Sequence, residues 1–368
     1  MKIFVSNPNS FIGKNLIENL KNIKTGKNRT RPDISIDELC DESTANVVFI
    51  LPGTDLDDLL QRVNRDARII FISTLLGSKE DDAVFAHSSN ALVYRLPEVV
   101  GKWQNPEDSV VAYLCNAVAN DEQYEVGNRN EMINILFIDD FLDEMYNALE
   151  GHPHKCEFPK AGGSSSDPTS DYDGKTPVAN EEGKYCYSPK AMIVSIGSII
   201  DNLIAFNHLN STSIVPEIPQ GKLPYHLYSM YLSFLPERKM SYPLNMNMDN
   251  RGIFTELVKT PNNGQVSINI ARPGNIRGQH WHNNKWEIFM VVSGHGLIQQ
   301  RKIGSDKVHN FEVHGEDMRA VILLPGYTHN IINLEKDRDL VTVMFANEQF
   351  DSTHPDTFFE IVDEKYAV

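Results

Sequence analysis

The N-terminal half of the chain alternates short apolar runs with amphipathic segments. MKIFVSN predicts a buried strand, and FIGKNLIENLKNI behind it has apolar residues at helical spacing, namely Phe11, Ile12, Leu16, Ile17 and Leu20. Further apolar runs at NVVFIL, ARIIFIST and ALVYRLP, with the helical stretch DLDDLLQRV between the first two, continue the alternation. Strands joined by helices predict a parallel sheet. Dinucleotide-binding folds begin with a strand, a tight turn and a helix, which is the order found here.

Changes in composition divide the rest of the chain. From Gly151 to about Ser188, Gly, Ser, Pro and acidic residues replace aliphatic ones, and such a segment cannot bury enough apolar surface to order itself. We therefore predict a flexible insertion over residues 151–188. A helix at SIGSIIDNLIAFNHL closes the first domain, and a proline-bounded helical connector leads to the second. The predicted domains cover residues 1–238 and 239–368, since 368 residues exceed what one core usually organises.

Composition and charge exclude several classes of partner. An apolar fraction of 41% and a charged fraction of 23% are ordinary for a globular protein, whereas a net charge of −16 disfavours nucleic acid and anionic membranes. No apolar run is long enough for a transmembrane helix, and MKIFVSNPNS lacks the features of a signal peptide, so we expect a cytoplasmic protein. The four cysteines form no CxxC pair, which argues against a thiolate zinc site.

The densest candidate chemistry lies in PGNIRGQHWHNNKWEIFMVVSG and in LLPGYTHNIIN near the C-terminus. Residues two apart on a strand share a face, so His280 and His282 project together. Glu287 opens the next apolar run and can fold back beside them, and His329 can supply a fourth ligand. Three imidazoles and a carboxylate suit Zn, Fe, Ni or Mn, of which we expect zinc first. For an HxH pair alone, two polar residues on a solvated strand would be the simpler interpretation.

These two segments resemble the signature motifs of the cupin superfamily, small antiparallel β-barrels of the jelly-roll type. The first segment matches the family spacing from Gly274 to Gly294, and the second keeps His329 and Asn333 but has Leu324 where the family usually has a proline. The resemblance implies a jelly-roll domain over residues 239–368 and a homodimer formed through it. The divalent-metal ligands that it implies are His280, His282, Glu287 and His329.

The N-terminal order of elements resembles the extended short-chain dehydrogenase/reductase fold, a Rossmann-like domain of nucleotide-sugar enzymes. In that family three glycines of the first turn let the backbone approach the cofactor pyrophosphate. Here only Gly13 remains, while Asn7 and Pro8 stand where the diphosphate would lie. Ser73 and Thr74 occupy the place of the family's assisting hydroxyl, but no Tyr is followed four residues later by Lys. We therefore predict that NAD(P)H is not used.

The C-terminal third also resembles the dTDP-4-keto-sugar epimerases, in DNRGIF and in RGQH. That resemblance makes His280 the base, and Tyr327 beside His329 is our candidate acid. A metal-bound imidazole has no free lone pair, so either His280 is the base and the metal is absent or structural, or another residue is the base. The resemblance implies Arg251, Phe254 and Glu256 as substrate-binding residues. Three basic residues near the motifs, Arg277, Lys285 and Arg301, are expected to bind the substrate as well.

Almost the whole chain is similar to two-domain enzymes of capsular polysaccharide synthesis that fuse a reductase-type domain to a cupin. The resemblance implies a UDP-linked 4-keto sugar, C3 epimerisation by the cupin and reduction of the ketone by the other domain. Because the N-terminal domain lacks both its cofactor turn and its Tyr-Lys pair, we expect epimerisation of a UDP-linked 2-acetamido-2,6-dideoxy-4-keto-hexose without reduction. The open alternatives are a bifunctional epimerase-reductase and a non-catalytic sugar-nucleotide-binding or assembly protein.

Overall fold

The computed structural model describes residues 1–27, 31, 33–158, 175–262 and 264–366. The chain forms two compact units, of which the first contains Met1–Leu203 with Gly221–Leu235, and the second contains Ile204–Gln220 with Pro236–Val368. The predicted insertion of residues 151–188 lies in part, over 159–174, outside the described residues. Within the described ranges, no helix has the length and apolar content needed to cross a membrane.

Helices and short strands make up the first unit. The described helices of the chain are α1 (Phe11–Lys24), α2 (Leu56–Arg62), α3 (Lys79–His87), α4 (Val110–Asn120), α5 (Ile138–Glu150), α6 (Ile196–Asn207), α7 (Leu209–Thr212) and α8 (Leu223–Ser233). The strands of the first unit are β1 (Lys2–Val5), β2 (Glu38–Leu39), β3 (Val47–Ile50), β4 (Arg68–Thr74), β5 (Leu92–Leu96), β6 (Glu98–Val100), β7 (Met132–Phe137), β8 (Lys155–Glu157), β9 (Val178–Ala179), β10 (Tyr185–Cys186) and β11 (Met192–Ser195).

The main sheet of the first unit has the strand order β2-β1-β3-β4-β5-β10-β8-β9, and a second sheet has the order β11-β7-β6. Along this order, every neighbouring pair of strands from β2 to β10 is parallel, whereas β8 is antiparallel to both β10 and β9. The four strands predicted from apolar runs are confirmed as β1, β3, β4 and β5. The sheet is therefore mixed, whereas the sequence predicts a parallel one. The difference lies in the short strands after α5, since β8 runs antiparallel to both of its neighbours.

Both faces of the main sheet are buried, since neighbouring residues of β3 enter different apolar clusters. Phe49 packs in a cluster with Leu16 of α1, whereas Ile50 packs in a cluster with Leu56 of α2. Burial on both faces explains the continuous apolar runs from which these strands are predicted. The helix predicted at FIGKNLIENLKNI is confirmed as α1, and the Ser10 hydroxyl oxygen accepts a hydrogen bond from the Gly13 N–H at its N-terminus.

The second unit is built from two antiparallel sheets. Its strands are β12 (Met246–Asp249), β13 (Gly252–Lys259), β14 (Gln265–Ala271), β15 (Ile276–Trp281), β16 (Glu287–Ser293), β17 (His295–Lys302), β18 (Val308–His314), β19 (Ala320–Leu323), β20 (Tyr327–Asn333), β21 (Leu340–Ala346) and β22 (Phe358–Phe359). One sheet has the order β12-β13-β14-β21-β16-β19 and the other β18-β17-β20-β15-β22. The antiparallel β architecture predicted for the C-terminal region is thereby found.

The two sheets of the second unit share one apolar core, which includes Phe289 from the first sheet and Ile298 and Ile331 from the second. The buried face of β14 changes character along the strand. Ala271 belongs to the apolar core, whereas the other buried positions of β14 are polar, namely Gln265, Ser267 and Asn269. Polar side chains that face inward are costly unless they are paired or used, so this strand marks where the core gives way to a site.

Candidate metal and substrate site

Four side chains from both sheets of the second unit converge on one point. His280 of β15 pairs directly with His329 of β20, His282 follows β15, and Glu287 begins β16. Their ligand atoms all lie within 4.8 Å of one another. Glu287 Oε2 is 3.2 Å from His329 Nε2 and 3.8 Å from His282 Nε2. The structure therefore brings together the four residues predicted to bind a metal.

Polar atoms of this cluster are buried without hydrogen-bond partners in the described part of the chain. They are His282 Nε2, Glu287 Oε2 and both ring nitrogens of His329. Each such atom costs about 1–3 kcal/mol when it is left unpaired. A cation bound by these atoms would remove that penalty, and three imidazoles with one carboxylate are a suitable ligand set for first-row divalent metals. The residues present therefore fit a divalent metal.

The protonation states of His280 and Glu287 also suit metal binding. Burial, assisted by the neighbouring His329, lowers the pKa of His280 to about 3, so its imidazole is neutral at physiological pH. Burial alone would raise the pKa of Glu287, but the His282 and His329 imidazoles and the Lys285 ammonium outweigh it and hold that pKa well below its usual value. Neutral imidazoles and an ionised carboxylate are the forms that bind metals.

Asp356, which the sequence analysis does not single out, fixes the orientation of His282. The Asp356 carbonyl oxygen is hydrogen-bonded to His282 Nδ1, so the Nε2 lone pair is directed toward Glu287. The Asp356 carboxylate accepts three successive backbone N–H groups, from residues 283, 284 and 285, at 2.9–3.2 Å. Its pKa is lowered because these amides outweigh the effect of burial. An acidic residue in a polar loop gives no sequence signal for this role.

A cavity of about 820 Å³ opens beside the cluster. Cavities of roughly 300–1,000 Å³ are typical of small-molecule sites. Lys285 is only 8% exposed and places its ammonium group 3.5 Å from Glu287 Oε1. Most of the residues predicted for substrate binding and catalysis line this cavity. Those that do are Arg251, Phe254, Glu256, Arg277, Lys285 and His280.

Arg277 is held in the cavity wall by two residues absent from the predicted site. Its Nη1 donates to the Asp249 carboxylate at 2.9 and 3.1 Å, and its Nε donates to Asn269 Oδ1 at 2.9 Å. Hydrogen bonds from Arg251, together with the charge of Arg277, lower the pKa of Asp249 to about 2. Among the described residues, Arg277 Nη2 and Asn269 Nδ2 have no partner. They are two donors available to an acceptor oxygen on a substrate.

Two predicted site residues lie outside the described cavity lining. The Arg301 guanidinium donates to Glu360 at 2.8 Å and to three backbone carbonyl oxygens, two of them in the same C-terminal segment. Arg301 therefore fastens that segment to the sheet. Tyr327 shares a face of β20 with His329 but sits two residues earlier, at the first position of the strand.

In the first unit, the turn after β1 lies where a dinucleotide-binding fold holds its cofactor, next to the end of β3. Asn7 has a φ of 45°, a conformation in which glycine is favoured, and its side-chain amide donates to the Pro52 carbonyl at 2.7 Å. The side chain thus crosses from the β1 turn to the β3 loop. A Cβ on Gly13 would lie 2.4 Å from the Asn7 oxygen, so this glycine is needed for close packing of turn and helix.

Ser73, at the position of the reductase family's assisting hydroxyl, is committed to a structural contact. Its hydroxyl donates to the carboxylate of Asp81 at 2.6 Å, and Asp81 is 1% exposed. Arg95 forms an ion pair with the same carboxylate at 2.9 Å. The buried Asp81 carboxylate, paired with Arg95, therefore holds Ser73 in place.

The unit that carries the His and Glu cluster is similar to a class of domain known from polysaccharide biosynthesis. A family model described as the polysaccharide biosynthesis C-terminal domain matches residues 247–358, which include the entire cluster.

Within this class, the chain belongs to the CapF family. A crystal structure of CapF with the inhibitor 3-isopropenyl-tropolone is 33% identical, with a TM-score of 0.81 over 98% of this chain and 100% of that one. The capsular polysaccharide assembling protein CapF from Staphylococcus aureus is 31% identical, with a TM-score of 0.80 over the same shares of the two chains. The UDP-2-acetamido-2,6-beta-L-arabino-hexul-4-ose reductase of Pseudomonas aeruginosa is 32% identical over 267 residues, which are 72% of this chain and 64% of that protein.

Proposed function

We propose that the second unit is a jelly-roll cupin that epimerises C3 of a UDP-linked 2-acetamido-2,6-dideoxy-4-keto-hexose during polysaccharide biosynthesis. The observation that carries this proposal is the cavity of about 820 Å³ whose wall joins the expected sugar-nucleotide residues to the His and Glu cluster. The relatives support the substrate class. CapF is named for capsular polysaccharide assembly, and the Pseudomonas relative is named for a UDP-linked acetamido hexul-4-ose.

The chemistry needs a proton-transfer group and a stabilised oxyanion. When the C3–H bond breaks, its electron pair moves into the C4 carbonyl, and return of a proton to the other face of C3 restores the ketone. No electrons are lost, so no redox cofactor is consumed. The enolate oxygen requires a preorganised positive partner. The unpaired Arg277 Nη2 supplies such a group in the cavity wall.

We propose His280, His282, Glu287 and His329 as the ligands of a divalent metal, with zinc as the first expectation. When bound, such a metal supplies a Lewis acid that stabilises negative charge on a carbonyl oxygen. The placement of His280 within the cluster favours a ligand role over that of a base. Lys285 lines the cavity and is better placed than Tyr327 to exchange the proton. It would take the proton from C3 as the free amine, after its own proton has left to solvent, and a water in the cavity would return a proton to the other face.

We further propose that the first unit does not use NAD(P)H. The Asn7 side chain crosses the cofactor turn, and the Ser73 hydroxyl is bound to Asp81. The second candidate function is reduction of the 4-ketone, which is favoured by the reductase name of the Pseudomonas relative and by a crevice of about 580 Å³ that includes Ser73 and Thr74. Calorimetric titration with NADPH and NADH separates the two. Low-micromolar binding of either cofactor, or its oxidation with a 4-keto sugar nucleotide, would establish the reductase.

Two structural expectations complete the proposal. We propose a domain boundary near residue 238 and a homodimer formed through the second unit, both of which rest on the resemblance to cupin-containing enzymes. Sedimentation of the full chain at micromolar concentration tests the dimer, and a monomer mass would remove it.

NMR spectroscopy of the sugar nucleotide tests the epimerase activity. Incubation of the protein with UDP-linked 2-acetamido-2,6-dideoxy-4-keto-hexose, without nicotinamide cofactor, should produce a second set of sugar-ring couplings that belongs to the C3 epimer. A spectrum unchanged after long incubation, with binding detected by calorimetry, would favour the sugar-nucleotide-binding alternative instead.

A further inference from the structure

A second cluster of metal-binding side chains lies at one end of β17 and β18. His295 is the first residue of β17, and His314 is the last residue of β18. The antiparallel register places these two histidines directly opposite each other. Glu312 lies two residues before His314 and therefore projects from the same face of the strand. The ligand atoms of all three side chains lie within 4.8 Å of one another.

This cluster is separate from the buried site. Gln300 of β17 pairs with His329, and Ile298 pairs with Ile331 of the apolar core, so even-numbered residues of β17 face inward. His295 differs from them by an odd number of positions and projects from the opposite face. Five residues of strand separate it from Gln300, or about 17 Å. Glu312 is 63% exposed, so the cluster is open to solvent.

The contacts within the cluster bring the donor atoms together before any ion binds. His295 Nε2 lies 2.7 Å from Glu312 Oε1. The His295 and His314 rings stack with their centroids 4.2 Å apart and their planes 12° from parallel. Two protonated imidazoles at this distance would repel each other, whereas two neutral ones can bind a shared cation once their rings turn out of the stack, since the lone pairs lie in the ring planes. The paired backbone on both strands limits the entropy lost on binding.

We propose that His295, Glu312 and His314 form a second, surface site for a borderline divalent cation such as Zn²⁺, Ni²⁺ or Cu²⁺. Two imidazoles and one carboxylate are a ligand set found in zinc sites with three protein ligands, which keep an open coordination position. Copper should bind most tightly, following the usual order of divalent affinities. The net charge of −16 raises the local concentration of cations. This site is independent of the function proposed for the cavity.

Equilibrium dialysis of the full chain against Zn²⁺, with elemental analysis, tests the proposal. The unaltered protein should bind zinc at two classes of site, and His314→Ala should weaken one class at least tenfold while leaving the other unchanged. His282→Ala should give the reverse pattern. His354→Ala is the matched control, since this histidine is 88% exposed and belongs to neither cluster. His314→Gln removes the ligand with less change in size, should His314→Ala fail to fold.

Electron paramagnetic resonance of added Cu²⁺ provides a readout that does not depend on stoichiometry. In protein that carries both His282→Ala and His329→Ala, the spectrum should show coupling to two imidazole nitrogens, and the further change His314→Gln should reduce this to one. Zinc isotherms that coincide for the unaltered protein and both His314 variants would overturn the proposal. An equal loss in His354→Ala would overturn it as well, because binding would then be a general property of exposed histidines.

Discussion

Individual side chains in the cavity are fixed by partners that are distant in sequence. Arg277 is held by Asp249 and Asn269, and His282 is held by the Asp356 backbone. Asp249 and Asn269 occupy Nη1 and Nε of Arg277, and Asp356 occupies Nδ1 of His282. Arg277 Nη2 and His282 Nε2 are left without a partner among the described residues. Groups that are oriented before the substrate arrives need little reorganisation during the reaction, which is the main source of electrostatic stabilisation in enzymes.

Lys285→Met tests the assignment of the proton-transfer group. We expect C3 exchange to fall by about 10²- to 10⁴-fold, because a positioned acid or base contributes that much, while the metal content stays the same. Lys307→Met, at an exposed lysine, is the control. His280→Asn should instead lower the metal content. Should His280→Asn abolish exchange with full metal content while Lys285→Met remains active, His280 would be the base.

Asp356→Ala should weaken metal binding by about 10- to 100-fold, because loss of the carboxylate loosens the loop against the backbone carbonyl that orients His282. The change releases the three backbone amides that hold the loop beside His282. Competition with a chromophoric chelator measures the affinity. Asp351→Ala is the control, since that carboxylate accepts hydrogen bonds from Thr353 two residues away. Equal zinc affinities in the two variants would contradict a positioning role for Asp356.

The same contacts give a pH dependence. The backbone amides hold the pKa of Asp356 below its usual value in the folded state. The carboxylate therefore contributes its full stabilisation above about pH 4, near its unfolded pKa, and loses it as the pH falls through the folded pKa. The stability difference between the unaltered protein and Asp356→Ala should shrink in that acidic range, as measured by denaturant unfolding.

At the scale of elements, the pattern of apolar residues predicts those strands and helices whose packing buries them. Strands β1, β3, β4 and β5 and helices α1 and α2 are found where their apolar patterns place them, because both faces of the sheet are covered. Strands β8, β9 and β10 have two or three residues, too few for a period. The inward polar face of β14 reads as a solvated face in the sequence, since alternation does not say which side is buried. The contact of Asp356 with His282 exists only after folding.

Gly13→Ala tests why one glycine of the cofactor turn is retained. The added Cβ would lie 2.4 Å from the Asn7 backbone oxygen, so α1 and the turn must move apart. We expect a loss of about 1–3 kcal/mol in the free energy of unfolding, which is typical of overpacking. Gly127→Ala is the control, because nothing lies within 4 Å of its Cβ position. Urea unfolding curves that coincide for the two variants would show that the glycine has no packing role.

At the scale of the whole molecule, the chain consists of two compact units with separate apolar cores. The predicted chemistry concentrates in the second unit, where the cavity combines charged, polar and metal-binding side chains. In the first unit, the residues at the cofactor turn and at the assisting hydroxyl make contacts that hold the fold together. We therefore propose that proton transfer takes place in the second unit and that the first unit is a reductase-type fold without its reaction.

Deuterium exchange at C3 tests this assignment most directly. UDP-linked 2-acetamido-2,6-dideoxy-4-keto-hexose is incubated with the protein in D₂O without nicotinamide cofactor, and the sugar is examined by mass spectrometry and NMR. We predict one deuteron at C3, incorporated faster than without protein, and loss of this incorporation with Lys285→Met. Binding of the sugar nucleotide with no deuterium at C3 would contradict this prediction. Reduction of the ketone by NADPH without any deuterium at C3 would contradict it as well.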